Sequence, residues 1–118
     1  MLLSEFHRLR IDAEDCSSLD EYIAEEGGSL PEECYPADMS AKKPIKIMSI
    51  LWELSHDFNV SKVREISGLT QMEFARNYLI GKRTVEGWDM NETQPPEYAL
   101  ELLAADVVSA KIKEVMEN

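Results

Sequence analysis

An all-α fold is predicted: a helical bundle of about five helices preceded by an acidic, partly irregular N-terminal segment. Three observations predict it. Apolar residues recur at helical spacing from Pro44 onward, Ser and Thr precede and Gly follows the periodic stretches, and the alternating pattern of a strand is nearly absent. With 44% apolar residues in 118, the chain can fill one compact core and not two.

In the N-terminal segment, residues 1–43, a short helix is expected to start at a cap on Ser17 or Ser18, run from Leu19 to Ala24 and stop at Gly27-Gly28. Pro31 and Pro36 then punctuate an irregular stretch, and a boundary falls near Ser40 to Lys43, where charge changes sign and Pro44 suits the first turn of a helix. The second unit, residues 44–118, opens with a helix from Pro44 to Phe58. Met48, Leu51, Trp52 and Phe58 mark one of its faces and Ile47, Ile50 and Leu54 the adjacent one. A helix apolar over so much of its circumference needs cover on two sides, either from the acidic segment folding back or from a second subunit. Ser61 then caps Lys62 to Ser67, with Gly68 as the stop. Thr70 caps Gln71 to Tyr78, a third short helix runs from Lys82 to Met90, and Pro95-Pro96 opens a long one reaching towards Met116, with Val107, Val108, Ile112 and Val115 as a stripe for the N-terminal helix or a partner.

Composition excludes several classes. No run approaches the roughly 20 apolar residues of a membrane span, and Met1-Leu2-Leu3 followed by Ser4-Glu5 lacks the pattern of a secretory signal, so a soluble cytoplasmic protein with no membrane partner is expected. Cys16 and Cys34 lack zinc-type spacing and read as reduced thiols, while His7 and His56 stand far apart, so neither a metal nor a cofactor is expected. Without a phosphate-binding glycine loop, a nucleophile elbow or a distinctive carboxylate pair, no enzymatic activity is expected. The net charge of −11 argues against nucleic acid, but it is uneven. Residues 1–40 hold eleven acidic and two basic side chains, net −9, whereas Val60 to Met90 holds five basic and four acidic.

Thr70 to Asp89 has the layout of a helix-turn-helix: two short amphipathic helices joined by about three residues. Phe74 and Tyr78 share a face of the first, Val85 and Trp88 a face of the second, Ile80 plugs the turn, and Ala75 is small where the two would cross. These residues resemble the phage repressor and Cro-like helix-turn-helix family, in particular a bacterial subgroup. The matching positions are Leu69, Thr70, Gln71, Phe74, Ala75, Arg83, Thr84, Val85, Trp88, Asp89, Pro95, Pro96, Glu97 and Tyr98. The likeness spans Val60 to Ala105.

The resemblance implies that Thr70 and Gln71 face a DNA phosphate, while Lys82 and Arg83 open a recognition helix in the major groove of double-stranded DNA. Arg83 would read guanine bidentately, Lys82 guanine or phosphate, and Thr84, Glu86 and Met90 would share that surface. It also implies a homodimer. Three departures stand out: Leu79 occupies a turn position where relatives place glycine, Gly87 lies inside the recognition helix, and Asn91, Glu92 and Thr93 replace a glycine and basic residues of the following loop. Two functions are therefore expected to compete. One is a sequence-specific transcriptional regulator; the other is an antitoxin-like, protein-binding module whose residues 1–40 engage a basic partner.

Overall fold

The computed structural model describes residues 1–118 and contains seven α-helices and no strand. They are α1 (Leu3–Asp15), α2 (Leu19–Glu26), α3 (Lys42–Ser55), α4 (Val60–Ser67), α5 (Gln71–Asn77), α6 (Lys82–Asp89) and α7 (Glu97–Glu117), with one 3-10 turn at Glu32–Cys34. The all-α class is thus observed.

The first forty residues hold two helices where the sequence predicts one. α2 matches the expected helix: Ser18 caps it by accepting from the Glu21 N–H (3.1 Å), and Gly27 ends it. α1 is additional. It carries a narrow stripe, Phe6, Leu9 and Ala13, all fully buried, and it packs on α2, α3 and α7. The Tyr22 hydroxyl of α2 donates to the Leu9 carbonyl (2.9 Å), so that a buried phenol satisfies its hydrogen bond on α1.

α3 is the central element and is packed against α1, α2, α4 and α7. Ile47, Met48, Leu51 and Leu54 are buried in it. Cover for its two apolar faces therefore comes from within the chain. The α7 stripe is also used internally: Val107, Val108, Ile112 and Val115 are buried, and α7 packs on α1, α3 and α4. α3 ends at Ser55, short of the expected Phe58, because Asn59 accepts from the Lys62 N–H (2.8 Å) and starts α4 two residues ahead of the cap expected at Ser61. Gly68, at φ +75°, closes α4 in the left-handed region.

One buried ion pair crosses this core. Arg10 of α1 and Glu101 of α7 are both more than nine-tenths buried, and the Arg10 guanidinium reaches Glu101 Oε1 through Nε (3.1 Å) and Nη2. The guanidinium carbon also sits 4.1 Å from the centre of the Phe58 ring. Burying both charges is tolerable only because they are paired and hydrogen-bonded.

Candidate functional site

α5 and α6 pack on each other, and α6 also rests on α4. Local chemistry defines both helices sharply. Thr70 accepts from the Glu73 N–H (3.2 Å) while Glu73 Oε1 accepts from the Thr70 N–H (3.0 Å), a reciprocal capping box. The Thr70 N–H first, and then the Thr70 hydroxyl, hold the Glu73 carboxyl below its ordinary pKa. α6 begins differently. Its N-cap is Gly81, which offers no side chain, so the first N–H groups of α6 have no side-chain acceptor.

The turn between them is a Schellman motif centred on Leu79. Ile80 N–H donates to the Ala75 carbonyl (2.8 Å) and Leu79 N–H to the Arg76 carbonyl (3.4 Å), with Leu79 at φ +55° and 95% exposed. The departure from glycine is thus accommodated by a left-handed leucine. Asn91, at φ +59°, repeats the motif after α6: Glu92 N–H donates to the Gly87 carbonyl (2.9 Å) and Asn91 N–H to that of Trp88 (3.1 Å). Here the left-handed residue is asparagine, which tolerates the conformation. The loop folds back close to Gly87, where a Cβ would lie 3.1 Å from Thr93 Oγ1, so a larger residue there would require the threonine side chain to move.

Asp89 ties three helices together. Its Oδ2 accepts from Arg64 Nε of α4 (2.8 Å) and Gln71 Nε2 of α5 (2.8 Å), and its Oδ1 accepts from Ser61 Oγ (3.1 Å). Arg64 extends the lock by donating to the Leu69 carbonyl (3.1 Å). Sequence reasoning pairs Gln71 with phosphate; the structure engages its amide nitrogen with Asp89. Arg64 and Ser61 escape such reasoning, and no local motif marks them because their partner lies 25 and 28 residues away.

Apolar packing completes the pair. Phe74, Ala75 and Val85 are buried, Tyr78, Ile80 and Trp88 half-buried. The Phe74 and Tyr78 rings pack at a tilt of 54° with centroids 4.9 Å apart. The Tyr78 hydroxyl donates to Asp106 Oδ2 of α7 (2.8 Å), and burial first, then this bond, pushes its pKa up.

With Val85, Trp88 and Asp89 turned inward, the first turn of α6 is what solvent meets. Lys82, Arg83 and Thr84 are exposed and consecutive, Thr70 is exposed at the start of α5, and Glu86 is half-buried. Lys82 pairs with Glu86 at 3.5 Å across one helical turn. Arg83 forms neither an ion pair nor a side-chain hydrogen bond, and neither does the exposed Arg76 of α5. Exposed apolar side chains flank the pair: Met72, Leu79 and Met90.

Elsewhere, Cys16 Sγ, a Glu21 oxygen and a Glu25 oxygen lie within 4.8 Å of one another. Burial first, then a hydrogen bond to Glu25, pushes the Cys16 thiol up to about 11, so it stays protonated and donates to Glu25 (3.4 Å). Glu21 is meanwhile engaged by the Ser17 hydroxyl (2.5 Å) and then the Ser17 N–H (2.9 Å), which hold its carboxyl below the usual range. The grouping is a hydrogen-bonded knot at the start of α2. His7 and His56 lie in separate places: His7 Nδ1 donates to Glu101 (3.2 Å), and His56 stacks on Trp52 at 3.9 Å between ring centres. Comparison with known protein families, with curated proteins and with solved structures finds no match.

Proposed function

We propose that the α5–α6 pair is a helix-turn-helix and that the chain is a sequence-specific, DNA-binding transcriptional regulator of bacterial or phage type. One observation carries the reading: Arg83, exposed and without an intramolecular partner, stands in the uncapped first turn of a helix braced from behind by Asp89. A guanidinium so placed is free to pair bidentately with a guanine edge. The N–H groups of that turn are disposed towards a phosphate. Lys82 joins it at the expense of its pair with Glu86, which is exposed and worth at most about 1 kcal/mol. Thr84 shares this surface. Thr70 and Gln71, occupied by the capping box and by Asp89, position α5 and contribute less to contact with DNA.

Fluorescence anisotropy with the gene's own upstream duplex tests this on the full chain. Affinity should fall steeply between about 50 and 200 mM salt, and Lys82→Ala/Arg83→Ala should flatten the log–log slope by about 0.9 for each phosphate no longer neutralised. Binding that ignores duplex sequence, or a double variant with unchanged affinity and slope, overturns the proposal.

A second reading has its own support. Met72, Leu79 and Met90 expose apolar side chains around the same face, and the net charge of −11 suits a basic protein partner. An antitoxin-like module would use that face and the acidic exterior of α1 and α2 together. Homodimerisation, if it supports either function, uses surface other than the α7 stripe, which is buried inside the chain.

A further inference from the structure

The first turns of α1 and α7 meet in a pocket of about 400 Å³ lined by Leu3, Ser4, His7, Tyr98, Glu101 and Leu102. It lies apart from the α6 surface, and the proposed regulatory reading makes no use of it. Its walls are almost wholly apolar, and Tyr98, Leu102 and Leu3 stand exposed at the rim.

Glu101 makes this pocket more than an apolar dent. The residue is 93% buried, and its two carboxylate oxygens are treated unequally. Oε1 receives Arg10 Nε, Arg10 Nη2 and His7 Nδ1, whereas the equally buried Oε2 has no hydrogen-bond partner. A buried carboxylate oxygen left unpaired costs about 1–3 kcal/mol. A donor arriving from the pocket would recover that cost. Leu3 and Leu102, about half exposed at 44% and 52%, are free to change rotamer and admit it.

We propose that this pocket binds a small organic ammonium: a protonated amine carried on an apolar body. The carboxylate favours a charged donor over a neutral one, because charge-assisted hydrogen bonds are about twice as strong. The exposed Tyr98 ring supplies a face for the cation on its way in. Leu3 and Leu102 bury the apolar body. An overall charge of −11 concentrates cations at the surface and disfavours carboxylates.

The test is a set of two-dimensional NMR titrations of the full chain with n-hexylammonium, n-hexanol and hexanoate at constant ionic strength. Hexylammonium should shift the Leu3, His7, Tyr98 and Leu102 resonances saturably. Hexanol should bind about tenfold more weakly, a difference of about 1.4 kcal/mol, and hexanoate should have no effect. Glu101→Gln should erase the preference for the amine over the alcohol. Because that change leaves Arg10 without its charge partner and can unfold the chain, Leu102→Lys and Tyr98→Ala provide a second arm. Leu102→Lys places a competing ammonium at the rim and should abolish binding, and Tyr98→Ala should weaken it, both in folded protein. Equal affinity for amine and alcohol, no saturable shift, or shifts at the same residues that follow protein concentration instead of ligand would each overturn the proposal.

Discussion

α1 and the α5–α6 pair are both amphipathic helical elements, yet they sit in the molecule in opposite ways. Four of the thirteen residues of α1 are buried, including the Phe6 and Leu9 side chains and the charged Arg10. Between Gln71 and Asp89 only Phe74, Ala75 and Val85 are buried. The first is held by burial in the common core. The second is held at the edge by a small apolar plug and by one carboxylate, Asp89, that gathers three helices. The difference teaches that the element with the richest sequence signature is the more lightly anchored of the two.

The most severe way to probe this contrast is Phe6→Ala, which removes a fully buried ring and should cost about 3–5 kcal/mol in urea denaturation. Trp52 of α3 and Trp88 of α6, the chain's two tryptophans, report the two regions separately once each is replaced by Phe in turn. If α1 is integral to one cooperative core, both reporters lose stability together. A Trp88 transition unmoved by Phe6→Ala would show residues 44–118 folding without the N-terminal helices. The thiols sharpen the same point. Burial pushes Cys34 up to about 12 and Cys16 up to about 11, so both should react with a thiol reagent at pH 8 far more slowly than a free cysteine. Folded pKa values above the unfolded value of 9.0 mean that the thiols' contribution to stability is complete below pH 9 and fades as pH climbs through 11 and 12. Alkaline melts should show that decline, and a Cys34→Ala variant should show less of it.

Asp89→Ala should come next in size, at about 2–3 kcal/mol, because Arg64, Gln71 and Ser61 lose one shared acceptor. The loss should appear at the Trp88 reporter with the midpoint of the α1 side moving less in hydrogen exchange. Binding should fall with it, since α6 is then free to leave its angle. A fall in DNA affinity without any change in stability would contradict a bracing role.

What can be read from the sequence follows how locally each feature is encoded. α5 announces itself because Thr70 and Glu73 form a capping box three residues apart and Phe74, Ala75 and Tyr78 repeat at helical spacing. α2 has its Ser18 cap and Gly27 stop in the same way. α1 has only half of such a mark, Glu5 accepting from the Leu2 N–H (2.9 Å). Leu2 occupies its N-cap, no basic residue closes its last turn, and its apolar stripe is interrupted by Arg10, whose partner Glu101 is 91 residues distant. Its helicity depends on tertiary packing, which periodicity within thirteen residues does not reveal. Sequence distance also hides Arg64 and Ser61 from a reading of the α6 surface, and with them the hydrogen bond that Gln71 gives to Asp89. Lys82, Arg83 and Thr84 are legible as exposed positions because Val85 and Trp88 set the phase of the helix.

Leu79→Gly is the smallest expected effect and separates the two functional readings. A leucine at φ +55° costs about 1 kcal/mol relative to an unstrained conformation, and at 95% exposure its side chain returns almost nothing in packing. Glycine removes the strain but is freer in the unfolded chain by about 0.4–1 kcal/mol, so the net gain should be at most a few tenths of a kcal/mol, measurable as a higher urea midpoint at unchanged slope. The Schellman bonds of Ile80 and Leu79 need no side chain and should persist. If the α5–α6 pair acts on DNA through Lys82, Arg83 and Thr84, the more stable variant keeps its affinity and its salt slope. A variant that gains stability, keeps DNA binding and no longer holds a basic protein partner would instead assign the exposed leucine to that partner. Stability traded for an apolar side chain at the tip of a turn is then explained by what the leucine touches in the complex, and the lightly anchored half of the molecule becomes the half that meets other macromolecules.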